Sequence, residues 1–125
     1  MTAPSEEIEF VSHVVELMQS VGPSNAKRMF GGNGIFLDGL MFGLIVGGDL
    51  YLKADDVNVE EFLSRGLEPF SYYKKEKEFK LSYFQAPEET LDDGEAMREW
   101  GNKAYEAALR AASAKRKKSR KKKKT

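Results

Sequence analysis

The fold is decided by the stretch GIFLDGLMFGLIVGGDLYLK, which occupies residues 34–53. Its apolar runs are divided first by Asp38-Gly39 and then by Gly47-Gly48. An Asp-Gly pair between apolar runs is the strongest short-range signal of a hairpin, because a two-residue turn needs positive φ at both positions. The stretch therefore predicts three antiparallel strands in succession.

A helix is predicted before these strands. Apolar residues recur at steps of three and four from Ile8 to Met18, which is the spacing of one helix face. Ser5 is a suitable N-cap, and Gly22-Pro23 ends the pattern.

Shorter elements follow the strands. Asn58, followed three residues later by Glu61, predicts a capping box that opens a short helix. Two further strands are predicted at residues 70–73 and 79–84. The chain is therefore expected to form an α+β fold, with an antiparallel sheet of about five strands built from hairpins, helices at both ends and one short connecting helix.

The last helix is predicted to open at Asp92, which has Glu95 three residues later. Gly101 lies within it and indicates close packing against a neighbouring element. The inner row of this helix holds Met97, Trp100, Ala104, Ala108 and Ala111.

Charge is divided unevenly along the chain. The 125 residues carry 20 acidic and 20 basic side chains, but nine of the basic ones lie at residues 115–124 and all acidic ones precede them. We therefore expect a domain at residues 1–114 with a net charge of −9, and a basic tail at residues 115–125 that is disordered or extends the last helix.

The tail is the predicted contact for DNA or RNA. Clustered cations attract phosphates regardless of sequence, so the contact should be weak and sensitive to salt. Its residues are Lys115, Arg116, Lys117, Lys118, Arg120, Lys121, Lys122, Lys123 and Lys124.

The composition favours a cytoplasmic protein. The sequence has no cysteine, which excludes disulfides and thiolate chemistry. No apolar run approaches the roughly 18 to 20 residues of a membrane span, and the N-terminus is acidic where a signal peptide is basic.

The glycine-rich run at residues 31–34 superficially resembles a phosphate loop. However, Leu37 stands where a dinucleotide fingerprint has its third glycine, and a strand is predicted next instead of a helix. We favour a bulge or tight bend, with small-ligand binding at this bend as the alternative.

Other candidate groups have structural explanations. The one histidine, His13, has no second histidine or cysteine for a zinc site and no visible nucleophile beside it. Four acidic pairs lie at predicted helix starts, where they suit the helix dipole. No catalytic, metal-binding or cofactor-binding residue is therefore predicted, and the chain is expected not to be an enzyme.

Aromatic and lysine residues alternate around residues 70–84. This composition is typical of a platform for single-stranded nucleic acid, but also of a hairpin with one aromatic core face and one charged face. We favour the second interpretation, since strands favour aromatic residues in any case.

A wider pattern resembles a known family. The run RMFGG at residues 28–32 is followed by the Asp38-Gly39 hairpin, by EPFSY at residues 68–72 and by APEE at residues 86–89. Together they resemble the TfoX N-terminal domain family, the amino-terminal half of TfoX/Sxy competence regulators. The distinctive residues are Met29, Phe30, Gly31, Gly32, Gly34, Asp38 and Gly39.

The resemblance implies a bacterial α+β domain without known catalytic residues. It also implies a link to regulators that activate DNA-uptake genes together with a cyclic-AMP-dependent transcription activator. Those regulators carry a second helical domain, and in this chain we expect the basic tail in its place. The leading hypothesis is a regulatory or adaptor domain that contacts a transcription-regulatory protein or DNA. The alternatives are a ligand-binding protein or enzyme that uses the bend at residues 31–34, and a non-specific nucleic-acid binder.

Overall fold

The computed structural model describes residues 4–29 and 31–123. They form three helices, six strands and one 3-10 turn. The elements are α1 (Pro4–Met18), β1 (Ser24–Met29), β2 (Gly32–Leu37), β3 (Leu40–Val46), β4 (Asp49–Lys53), α2 (Val59–Leu63), β5 (Pro69–Lys74), β6 (Lys77–Gln85), the 3-10 turn (Glu88–Leu91) and α3 (Gly94–Lys123).

The six strands form one antiparallel sheet in the order β1-β2-β3-β4-β6-β5. The predicted α+β class is confirmed, with one more strand than expected. That strand is β1, a polar segment with the sequence SNAKRM. Because it lies at the edge of the sheet and has no apolar alternation, the sequence pattern did not reveal it.

The predicted hairpin turns are confirmed. Asp38 and Gly39 have φ values of 50° and 77° between the paired residues Leu37 and Leu40. The diglycine at residues 47–48 makes the second turn, and residues 75–76 make a third between β5 and β6.

A β-bulge interrupts the pairing of β2 with β3. Ile35 pairs with Gly43 and the next residue, Phe36, pairs with Met41, so Phe42 is the extra residue of β3. Without the bulge, Phe42 and Leu44 would lie on the same face of the sheet. With it, they belong to different clusters, Phe42 to the helix-covered core and Leu44 to the opposite face.

The main core lies between one face of the sheet and the helices. In α1 the buried positions are Val14 and Met18. Ile8 is 65% exposed, although the helical pattern predicted that it would lie in the core. The largest side chains of this core are Phe42, Phe62, Met18, Ile35, Ile45, Leu52, Met97 and Trp100.

Helix α3 crosses this core. Four of its five predicted inner residues are buried, but Ala111 is exposed and Ala107 is buried in addition. The buried row therefore ends at Ala108, one turn earlier than predicted. The predicted close packing of Gly101 is confirmed, since a Cβ atom there would lie 2.6 Å from Val21 Cγ2. The cap of the helix is Asp93, whose Oδ1 accepts a 3.0 Å hydrogen bond from the Glu95 backbone, one residue later than predicted.

A second, smaller cluster occupies the opposite face of the sheet. It centres on Leu44, Phe70 and Tyr83, which are at most 7% exposed. In the part of the chain that the structure describes, no helix is both long enough and apolar enough to cross a membrane.

Candidate functional site

The family-like motif forms the first hairpin and the packing beneath it. Met29 pairs with Gly32 across the β1–β2 turn, where Gly31 has a φ of 74°. This is the tight bend that the sequence predicted, and it leads into a strand. Phe30 of the motif lies outside the described residues.

Two glycines of the motif are required by close packing. A Cβ atom on Gly32 would overlap the carbonyl oxygen of Ile45, which is main chain and cannot move aside cheaply. A Cβ atom on Gly34 would overlap the sulfur of Met29 and lie 2.9 Å from the Phe36 ring. Gly32 and Gly34 therefore have a structural role, because they allow the strands and side chains around them to pack closely.

The residue between these glycines faces a shallow groove. Asn33 is 8% exposed and lines a cavity of about 240 Å³ together with Ile8, Val11 and Arg28. Arg28 forms an exposed ion pair with Glu7 at the rim, 3.3 Å long. No helix N-terminus follows the glycines, so the dipole that phosphate loops use is missing at this position.

The remaining candidates for chemistry have structural partners. Nε2 of His13 is 2.7 Å from the carbonyl oxygen of Leu91, to which it donates. The acidic pairs at residues 60–61 and 88–89 lie in first helical turns, as predicted. Among the described residues, no group of three or more His, Cys, Asp or Glu side chains is arranged to hold a metal ion.

The aromatic and lysine-rich hairpin is β5–β6. Tyr83 is 7% exposed, and its hydroxyl donates a 3.1 Å hydrogen bond to the Met41 carbonyl. Burial raises the pKa of Tyr83 well above its ordinary value. Phe70 is buried beside it, so these two rings form core and not an exposed platform. The side chains of residues 72–74 and 79–80 lie outside the described part, so neither interpretation is tested for them.

The basic segment continues α3. The backbone is helical through Lys123, which is the second of the two conformations that the sequence allowed. Lys115, Arg116 and Lys117 are exposed. Side chains from residue 118 onward, and Lys124 entirely, lie outside the described residues. The boundary between domain and tail at residue 114 remains a prediction.

An ion pair fastens α3 to the body before this segment. Arg110 donates two hydrogen bonds to Asp55, of 2.6 Å and 3.0 Å. This bonding lowers the pKa of the Asp55 carboxyl and raises that of the Arg110 guanidinium. The base of the basic segment is thereby attached to the β4–α2 connection.

Asn58 provides a second attachment of α3. Its side chain is buried, accepts a 2.8 Å hydrogen bond from the Asp55 backbone and donates to the carbonyl oxygens of Lys53 and Lys103, each at 3.2 Å. It is the N-cap residue of α2 but makes no side-chain capping bond, so the predicted capping box with Glu61 is wrong. The reason is that the Asn58 side chain is turned to other backbone groups: both amide hydrogens go to the carbonyl oxygens of Lys53 and Lys103, and its oxygen accepts from the Asp55 backbone.

Glu61 bonds to α3 as well. The ammonium group of Lys103 donates to Glu61, which raises the pKa of Lys103. Lys103 also lies 5.2 Å from the centre of the Trp100 ring, and Arg65 lies 5.6 Å from it. The predicted burial of Trp100 is confirmed, with Phe62 edge-on to it at 5.2 Å.

Sequence reasoning missed Asp55, Asn58 and Arg110 as the residues that direct the basic helix. From the sequence, helix capping and the helix dipole explain the acidic pair at residues 55–56. The available signal was an i, i+3 pair of Asp and Asn, which is typical of side chains that bond nearby backbone groups. Nothing local connected that pair with Arg110, 55 residues away.

Comparison with known proteins places this architecture in a family. A family model described as the TfoX N-terminal domain matches residues 16–108. The chain belongs to this family. The matched region begins in α1 and ends in the buried part of α3, before the basic segment.

A curated protein is similar in sequence to this chain. The DNA transformation protein TfoX1 of Aliivibrio fischeri (strain ATCC 700601 / ES114) is 33% identical over 87 residues. The alignment covers 66% of this chain and 41% of the relative. The chain therefore spans less than half the length of that protein.

Proposed function

We propose that this chain is a non-enzymatic regulatory domain that associates with DNA through the basic end of α3 and contacts a regulatory protein through its body. The continuity of α3 carries the proposal. The same helix that packs Met97, Trp100 and Ala104 into the core runs on through the basic segment. The helical backbone of the basic segment therefore extends in a defined direction from the body.

The charge distribution supports weak and sequence-independent binding. Residues 115–124 carry nine positive charges, whereas the rest of the chain carries 20 acidic and 11 basic side chains. DNA phosphates are attracted by the first region and repelled by the second. The helical part at residues 115–123 is about 13 Å long, which is enough to contact several successive phosphates.

The relative adds support for a role near DNA. Its name refers to DNA transformation, and the TfoX N-terminal domain of this chain supports a regulatory context. A cytoplasmic location is part of the proposal, because the sequence has no cysteine to stabilise it in an oxidising compartment. RNA offers the same phosphate chemistry and is the alternative polyanion.

Fluorescence anisotropy of a labelled duplex of about 20 base pairs tests the DNA contact at several NaCl concentrations. The full chain should bind with a slope of log K against log salt of about −4.5 to −7, as expected for five to eight neutralised phosphates. Replacing Lys121, Lys122, Lys123 and Lys124 by Gln should make the slope less steep by about 3.

A charge-matched variant provides the control. Replacing Lys74, Lys75, Lys77 and Lys80 of the β5–β6 hairpin by Gln removes the same number of charges and should leave the slope within about 1 of the parent. If the hairpin variant loses the salt dependence and the tail variant keeps it, the DNA contact lies on the hairpin. If the parent shows no binding at low salt, the DNA part of the proposal is wrong. A tighter complex with single-stranded RNA than with the duplex would favour the alternative.

A further inference from the structure

Helix α3 presents a second apolar row beside its buried one. Tyr105, Leu109 and Ala112 are spaced by four and three residues, so they share one face of the helix. Leu40 of β3 lies opposite, and together they line a cavity of about 670 Å³. Leu109 is 44% exposed, and it is one of four large apolar side chains exposed in the described part of the chain. A groove of this size accommodates several apolar side chains of a partner.

The walls of this groove are held in place by the fold. The Tyr105 ring meets Phe42 edge-on, with ring centres 5.4 Å apart. Leu40 directly follows the Asp38-Gly39 turn, and α3 is attached next to the groove by the Arg110 ion pair. A partner therefore loses little affinity to ordering of the groove, since the site is formed in advance.

The groove is electrostatically polar along its length. Lys115 and Arg116 line its C-terminal end on α3. Asp38 lies towards Tyr105, because burial and the Asp38 charge together raise the pKa of Tyr105. Lys115 and Arg116 are exposed, and within the described residues neither takes part in an ion pair. An occupant thus needs apolar groups along the middle and carboxylates at the α3 end, away from Asp38.

We infer that this groove binds an acidic amphipathic helix of a protein partner. From Tyr105 to Arg116 the groove extends about 16 Å along α3, which corresponds to three turns of a partner helix. Such a helix places apolar side chains every three or four residues against Tyr105, Leu109 and Ala112. Its carboxylates lie beside Lys115 and Arg116.

Duplex DNA fits this groove less well. Phosphates would pair with the two cations, but DNA offers no apolar row to cover Leu109 and Leu40. This inference rests on the proposed function. It specifies which surface of the body contacts the protein partner and which side chains that partner needs. Its readout is peptide binding, so its failure is distinguishable from a failure of DNA binding.

A displayed library of helical peptides of about 14 residues, applied to the full chain, tests the inference. Apolar positions hold Leu, Ile, Phe or Met at helical spacing, and the other positions hold Glu, Gln or Lys. We expect enrichment of members with Glu near one end of the apolar row. The most enriched peptide, labelled for fluorescence anisotropy, then serves as the probe.

Three variants locate the binding site. Leu109→Gln keeps helix propensity and alters an exposed position. It should lower the affinity for the probe peptide by about tenfold or more. Lys115→Glu with Arg116→Glu should have a similar effect. Lys121→Glu with Lys122→Glu changes the total charge equally, but lies about a Debye length from Arg116 along the helix, so it should weaken binding by less than about threefold.

Several results would overturn the inference. One is a library without enrichment of Glu-rich members. Another is an affinity for the probe peptide that Leu109→Gln leaves unchanged. Equal losses from the two charge-reversed pairs would mean that the probe binds the basic segment electrostatically. A dimer in sedimentation that Leu109→Gln dissociates would identify the occupant as a second copy of the chain.

Discussion

The Asp55 carboxylate accepts two hydrogen bonds from the Arg110 guanidinium, at 2.6 Å and 3.0 Å, although the two residues are 55 positions apart in the sequence. Asp55 lies in the connection between β4 and α2, while Arg110 lies on α3 shortly before the basic segment. The side chains are 25% and 38% exposed, so the pair is only partly solvated. It joins the sheet to the part of α3 from which the positive charges extend.

The first prediction concerns this pair and its dependence on pH. We expect Asp55→Asn to lower the free energy of unfolding near pH 7 by about 1 to 2 kcal/mol, because a charge-assisted bidentate contact is lost. Hydrogen bonding to Arg110 lowers the pKa of the native carboxyl. The unfolded chain therefore takes up the proton first on acidification, and the stabilisation is complete above about pH 5 and disappears at lower pH. Denaturant titrations of both proteins at successive pH values measure the difference.

A matched ion pair provides the control for this measurement. Arg65 donates two hydrogen bonds to Glu89, at 2.6 Å and 2.7 Å, but these side chains are 42% and 45% exposed. Glu89→Gln should lower the stability much less than Asp55→Asn does, because solvent screens an exposed pair. Equal losses in the two variants would show that the Asp55 pair has no special structural role.

The second prediction concerns Asn58, which is 3% exposed. In Asn58→Asp, a carboxylate oxygen faces the carbonyl oxygens of Lys53 and Lys103, to which the amide now donates. We expect a loss of about 3 kcal/mol or more near pH 7, since a buried charge meets two acceptors. Protonation of the new carboxyl restores one donor, so the loss of stability should become smaller as the pH is lowered towards about 4.

The control for Asn58 is the same change at an exposed position of α3. Asn102→Asp should alter the stability by less than about 0.5 kcal/mol, because Asn102 faces solvent. Thermal and denaturant unfolding of both variants at two pH values is sufficient. A pH-independent defect in Asn58→Asp would contradict the prediction.

The third prediction concerns the packing of Gly32. A methyl group there meets the carbonyl oxygen of Ile45, so Gly32→Ala should cost about 3 kcal/mol or more through displacement of β3. Gly34→Ala meets side chains alone, the Met29 sulfur and the Phe36 ring first, and should cost less, about 1 to 2 kcal/mol, because side chains move aside more easily than main chain. Urea denaturation compares the two variants, and the opposite order of stability would be inconsistent with the packing described.

Much of the fold could be predicted because its signals are local. The turn at Asp38 and Gly39 needs positive φ at two adjacent residues. Asp followed by Gly between apolar runs predicts such a turn without any knowledge of the rest of the fold. The helical repeat in α1 and the inner row of α3 are also local patterns, and they located Met18 and Trp100 in the core. Ile8 follows the same repeat but is exposed, because a periodic pattern does not say where the neighbouring sheet ends.

Other features depended on residues far apart in the chain. β1 has a polar sequence and becomes a strand through its pairing with β2. The bulge at Phe42 reverses which face the following residues occupy, and no residue type at that position signals it. The candidate site shows the same limit. The basic charges are evident in the sequence, but the groove beside them forms only because the fold brings Leu40 and Leu109 to the walls of one cavity.

By itself, the sequence determined the α+β class, the hairpin turns and the separation of positive from negative charge. Each depends on neighbouring residues, whose backbone preferences and charges act over a few positions. Only the tertiary structure decided which faces β3 presents, how Asp55 and Asn58 fasten α3, and where an apolar groove meets Lys115. The physical reason is that packing and buried hydrogen bonds are satisfied between distant segments, so they have no counterpart in the local pattern.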